Sequence, residues 1–121
     1  MSFISDLLAR TVSPRVRAEL QPHLRGIFGG IIRNYLPQVW FFSTESGTAT
    51  LYVDRNGIAT VTEGRSGSPD VELTWSDRDA YNSLMADDRS QIPPGTQAPS
   101  VLVRTSKGKA AYNQLRKRLG L

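Results

Sequence analysis

Apolar residues recur at helical steps over the first third of the chain, alternate at strand steps through the middle, and mix both periods after residue 70. Phe3, Leu7 and Leu8 predict a short amphipathic helix over 3–11. Ser13-Pro14 places a capping hydroxyl before a proline and predicts a helix start, continued by Val16 and Leu20. Pro22 restarts or bends that helix. Beyond it Leu24, Ile27, Phe28, Ile31, Ile32 and Tyr35 return at steps of three and four, one broad apolar stripe that Pro37 ends. Gly29-Gly30 lies inside the stripe. Each glycine costs a helix roughly 1 kcal/mol against alanine, so the pair predicts a kink, or a place where another backbone or a ligand comes close.

From Val39 the period is that of strands. Residues 39–45 form an aromatic strand, Ser46-Gly47 a turn, and 48–54 a strand with Ala49, Leu51 and Val53 on one face. The Asn56-Gly57 step signals a hairpin into a third strand over 58–63, completing an antiparallel meander. Residues 64–69 are a loop, and 70–75 a fourth strand facing Val71, Leu73 and Trp75 inward, with the Trp75 indole N–H paired. Ser76, with Asp79 three residues on, caps a helix that buries Tyr81, Leu84 and Met85. A long loop, 86–99, precedes a fifth strand over 100–104. Thr105-Ser106 then caps a last helix, 107–119, with Ala111, Leu115 and Leu119 inward. The expected architecture is α/β in the α+β sense: a five-stranded, mostly antiparallel sheet covered on one face by helices, in a single domain over 1–121 with 1–13 as a helical extension.

Composition narrows the chemistry. The chain has no cysteine and one histidine, His23, which removes disulfides, thiolate nucleophiles and cysteine metal sites, and leaves no metal expected. There is no apolar run near ~18 residues and no basic-then-apolar leader, which points to a cytoplasmic protein. The net charge of +4 is unevenly spread: residues 1–88 hold all 11 acids and 8 of the 15 bases, so 89–121 hold 7 bases and no acid. That asymmetry permits contact with an anionic membrane surface through Lys109, Arg116 and Lys117; it equally describes a solvated helix face. Nucleic acid is the weaker partner, because Arg116-Lys117-Arg118 lacks interleaved aromatics. No phosphate-cradling motif occurs, so no cofactor is expected.

The passage Pro69-Asp70-Val71-Glu72-Leu73-Thr74-Trp75-Ser76-Asp77-Arg78-Asp79, the glycine-punctuated meander from Gly47 through Gly57 to Gly64, and the closing strand with its capped, leucine-bearing helix together resemble the sterol carrier protein type two family over roughly residues 20–119. The chain departs from that pattern at Pro99-Ser100 and Thr105-Ser106-Lys107, where the family often carries glycines. The resemblance implies an apolar cavity between sheet and helices, and carriage of sterols, acyl chains or related lipids without chemistry; other members serve as dimerising or accessory modules.

Such a cavity would draw its walls from Phe28, Ile31, Ile32 and Tyr35 on the helix, Trp40 and Phe42 on the first strand, and Trp75, Leu84 and Met85. The same stripes also describe plain core. Because Trp40, Phe41 and Phe42 are adjacent, Phe41 faces away from the other two, as a second wall or the edge of a homodimer. No catalytic constellation is recognisable. The alternative to a carrier is a small enzyme shaping an apolar substrate, with Asp87 or Asp88 as acid or base. Capping accounts for Asp77 and Asp79.

Overall fold

The computed structural model describes residues 2–27, 29–119 and 121. Helix α1, Phe3–Arg10, opens where the Ser2 hydroxyl accepts from Ser5 N–H, and buries Ile4, Leu7 and Leu8. It runs through Thr11 into α2, Val12–Arg25. Ser13 therefore lies inside a helix and caps nothing. Its hydroxyl donates to the Ala59 carbonyl at 3.2 Å, joining α2 to the third strand. Pro22 sits within α2 without ending it.

The stripe expected to form one helix from Leu24 to Tyr35 is divided. Gly26 is extended and ends α2, and a separate short helix α3, Gly29–Arg33, follows. A Cβ on Gly29 would lie 2.4 Å from the Leu24 carbonyl oxygen, so the corner is a close backbone approach. Gly30 meets nothing within 4 Å.

Strands β1, Gln38–Thr44, β2, Gly47–Val53, and β3, Ala59–Glu63, form the expected meander. The second hairpin is longer than an Asn-Gly pair alone. Asp54 Oδ1 accepts from the N–H groups of Asn56 and Ile58, and Gly57 takes the positive φ of 75° that the reversal requires. Strand β4, Val71–Thr74, lies beside β1 in parallel, and β5, Ser100–Val103, pairs antiparallel with β4. The sheet order is β3-β2-β1-β4-β5, so three of its four pairings are antiparallel and β1 is central. Helix α4, Asp77–Met85, is capped by Ser76, whose hydroxyl accepts from Asp79 N–H and donates to Asp79 Oδ2. Helix α5, Ser106–Leu115, is capped by Thr105 and ends one turn earlier than its apolar spacing suggests. The 86–99 loop contains a single 3-10 turn at Arg89–Gln91.

One core joins the helices to the inner sheet face. Ile4, Leu8, Val12 and Val16 meet Trp40, Phe42, Leu51, Leu73 and Leu84, with Leu119 and Leu121 closing it. The outer face is covered differently. Phe41 is buried there, beneath the Arg65 guanidinium at 4.9 Å from its ring centroid. Thr50 fixes the same segment, donating to the Gly64 carbonyl and accepting from Ser66 N–H. Phe41 is thus neither an open wall nor a sheet edge. Arg65 and Arg104 both donate to Glu72, at 2.6 and 2.7 Å.

Asp70, directly before β4, is buried and ties three elements together. Its Oδ2 accepts from Val39 N–H at 2.8 Å and its Oδ1 from the Thr105 hydroxyl at 2.6 Å, while the Lys107 ammonium lies at 3.9 Å. Gly108 packs against its backbone so closely that a Cβ would lie 2.5 Å from the Asp70 carbonyl oxygen.

Two outcomes follow. Gly108→Ala should lose about 1–3 kcal/mol through overpacking against that backbone, read as a lowered urea midpoint with an unchanged slope. The hydrogen bond from Arg104, with the charges of both arginines, holds the Glu72 carboxyl below its usual value of 4.5. Its contribution is therefore complete above about pH 4.5 and is lost as the pH falls through the depressed folded value. Glu72→Gln should cost about 1 kcal/mol at neutral pH, and its urea midpoint should converge on that of the parent as the buffer is acidified through the depressed folded value.

Candidate functional site

A pocket of about 500 Å³ lies between the inner sheet face and helices α2, α3 and α5, a size suited to a small organic ligand. Trp40, Leu51 and Val53 form its floor. Val16 and Leu20 wall it from α2, Ile32 and Tyr35 from α3 and its exit, and Ala111 and Leu115 from α5.

The polar atoms of the floor are used up internally. Trp40 Nε1 donates to Gln38 Oε1 at 2.9 Å. Gln38 Nε2 in turn donates to the carbonyls of Tyr35 and Lys107. The Trp40 ring is also held by Tyr112, with centroids 5.8 Å apart. What the floor offers a ligand is hydrocarbon and ring face in a fixed orientation.

The rim is polar. His23, Asn113 and Gln114 are exposed there, with Glu19 half-buried. Glu19 Oε2 lies 3.3 Å from Arg118 Nε, an ion pair from α2 to the C-terminal turn, and Glu19 Oε1 lies 3.7 Å from His23 Nε2.

Of the residues proposed from sequence, Ile32, Tyr35 and Trp40 come together at this pocket. Phe42, Trp75 and Leu84 are packed in the core and do not line it. The Phe42 and Trp75 rings sit 6.1 Å apart. The Trp75 indole N–H, expected to be paired, has no hydrogen-bond partner among the described residues. Ile31 and Met85 point to solvent, at 56% and 40% exposure. Tyr81 is likewise exposed, so α4 buries Ala80, Ser83 and Leu84 instead of the Tyr81–Met85 face. Phe28 lies outside the described residues. Lys109, Arg116 and Lys117 are all exposed, the last two in the turn beyond α5.

Sequence reasoning missed the α5 wall as a wall. Ala111 and Leu115 carry the helical spacing of core residues, and only the gap left between α5 and α2 turns them into a lining. It also missed the polar rim, since Glu19 and His23 face each other at an ordinary helical step of four.

Neither Asp87 nor Asp88 reaches the pocket. Asp87 N–H donates to Gln91 Oε1. The Asp88 carboxylate caps the 3-10 turn, and its hydrogen bonds from the Ser90 hydroxyl and N–H hold its pKa below the usual aspartate value. That is the wrong direction for a proton donor at neutral pH. Among the described residues no three potential metal ligands cluster, and no helix is long and apolar enough to cross a membrane.

No family model matches the chain, and no curated protein matches it. Its fold is similar to several solved structures. The sterol carrier protein domain 2 of Helicoverpa armigera is 13% identical, with 87% of this chain and 86% of that one covered and a TM-score of 0.45. A protein described as UbiJ-SCP2 ubiquinone synthesis protein is 18% identical, with 84% and 96% covered and a TM-score of 0.44. Sterol carrier protein 2 from Yarrowia lipolytica, in its apo form, is 20% identical, with 96% and 89% covered and a TM-score of 0.41.

The corner that sets the α3 wall makes a paired prediction. Gly29→Ala should destabilise by about 1–3 kcal/mol, because its Cβ meets backbone that cannot swing away. Gly30→Ala, one residue on in open space, should be neutral or stabilising by up to about 1 kcal/mol. Thermal melts of the two variants side by side check the contrast.

Proposed function

We propose that the protein binds and carries an apolar or amphipathic small molecule, of the lipid, acyl-chain or sterol-like class, without chemistry. The observation that carries this reading is the pocket floor: Trp40, Leu51 and Val53 present apolar surface, and the nearby polar atoms are already paired among themselves. A ligand entering there gains by leaving water at about 25 cal/mol per Å² of apolar surface buried, and meets no unpaired floor group that it must satisfy. The polar rim at His23, Asn113 and Gln114 suits a ligand with one polar end at the mouth. The exposed cations Lys109, Arg116 and Lys117 would draw the carrier towards anionic surfaces.

The test is direct binding. The parent protein should bind a fluorescent fatty acid at micromolar concentration. Ala111→Trp and Leu20→Trp, each filling the pocket from a different wall, should weaken that binding at least about tenfold with far-UV circular dichroism unchanged. Failure of acyl chains, sterols and hydrophobic dyes alike to bind the parent at high micromolar concentration would overturn the reading.

A further inference from the structure

The corner between α2 and α3 exposes more apolar surface than its neighbours explain. Ile27 is 93% exposed, and Ile31 and Tyr35 follow at 56% and 43% within nine residues. A single exposed isoleucine is ordinary on a soluble protein. Three large exposed apolar side chains on one short segment are not, because the same sequence had a helical stripe available to bury them. The division of the stripe at Gly26 and the tight Gly29 corner are what turn Ile27 and Ile31 outward.

The charges around this segment are of one sign. From Leu20 to Thr44 there is no acidic residue, and Arg25 and Arg33 are both exposed. Neither makes an ion pair among the described residues. Arg25 is two residues from Ile27, within about 7 Å along the chain. The Arg33 guanidinium folds back over Gly29, where a Cβ would touch its Nη1 at 3.3 Å. Two cations thus flank a protruding isoleucine, with no carboxylate beside them. The same short helix supplies Ile32 to the pocket wall, and Tyr35 at its exit is both wall and exposed surface.

We propose that this corner docks on an anionic lipid bilayer, inserting Ile27 among the acyl chains near the headgroups while Arg25 and Arg33 pair with lipid phosphates and carboxylates. A bilayer fits better than a protein groove. Ile27 is almost wholly exposed, and a fluid surface accepts such a side chain without needing a matching cavity. Each basic side chain at an anionic surface is worth about 1 kcal/mol, and the attraction decays within a Debye length. The C-terminal cations add to this attraction, but Arg116 and Lys117 have no comparably exposed large apolar side chain beside them among the described residues, so they stay in water. Docked in this way, the pocket wall formed by α3 lies against the membrane.

The absence of cysteine makes the test clean, since a cysteine introduced at one position takes a label alone. Ile27→Cys and Lys117→Cys, each carrying an environment-sensitive fluorophore, are mixed with phosphatidylcholine vesicles with and without one-third phosphatidylserine. The label at 27 should brighten and shift to the blue only with the anionic vesicles, and the label at 117 should not shift. In co-sedimentation at low salt, Ile27→Asp and the pair Arg25→Glu with Arg33→Glu should each lose at least about tenfold in partitioning. All variants should keep the parent's melting temperature and its affinity for a soluble fluorescent fatty acid. The proposal is overturned if the parent does not co-sediment at low salt, if it binds neutral vesicles equally, if the label at 27 stays in water, or if Ile27→Asp binds like the parent. Docking that persists while no acyl probe binds would retain this proposal and remove the carrier reading.

Discussion

A buried carboxylate holds the two halves of the sheet together. Strand β4 arrives beside β1 in parallel, after the 64–70 segment, with no hairpin to set its register. Asp70 supplies what a hairpin would. Its side chain receives the Val39 N–H at the start of β1 and the Thr105 hydroxyl at the start of α5. Its own backbone pairs with Val39 on one side and Arg104 on the other. A carboxylate out of water needs such partners to remain tolerable. Because they come from three elements, meeting the need also fixes where those elements lie. The position of α5, and with it one wall of the pocket, follows from this joint and from the missing side chain at Gly108.

The two faces of the sheet are finished by different means. The inner face receives helices that bury apolar side chains and leave a gap between α2 and α5. The outer face receives the 64–70 segment, whose Arg65 covers Phe41 and joins Arg104 on Glu72. Polar groups on that side are consumed in holding the segment down. The apolar pocket therefore lies on the inner side, with its polar groups at the rim.

Much of the fold was legible because its signals are local. Alternation set the strands, and Ser76 and Thr105 marked two helix starts. The failures have a common cause. Ser13 and Pro14 read as a helix opening, but the chain turns directly from α1 into α2 and the hydroxyl is taken by Ala59, a partner 46 residues away. The stripe from Leu24 to Tyr35 satisfies a helical period, yet the period does not say that Gly26 will be extended. Phe42, Trp75 and Leu84 have the composition of a cavity wall and the packing of a core. What separates them from Trp40 is a space between α2 and α5 that no one segment encodes. The polar rim was hidden for the same reason, since Arg118 meets Glu19 only after the C-terminal turn has closed over α2.

That late closure bears on how the chain emerges from the ribosome. The meander that carries Trp40, Leu51 and Val53 is complete by residue 63 and can pair through short loops as it is made. Ala111, Leu115 and Leu119, which cover those residues, are synthesised well after them. Until they emerge, the floor is covered by α1 and α2 but lacks its α5 wall, and the apolar surface left open is of the kind that invites chaperones or self-association. The absence of acids after Asp88 gives this final stretch a charge unlike the rest of the chain. The segment that completes the container therefore carries a net charge opposite to that of the residues before it, and electrostatic attraction favours its docking.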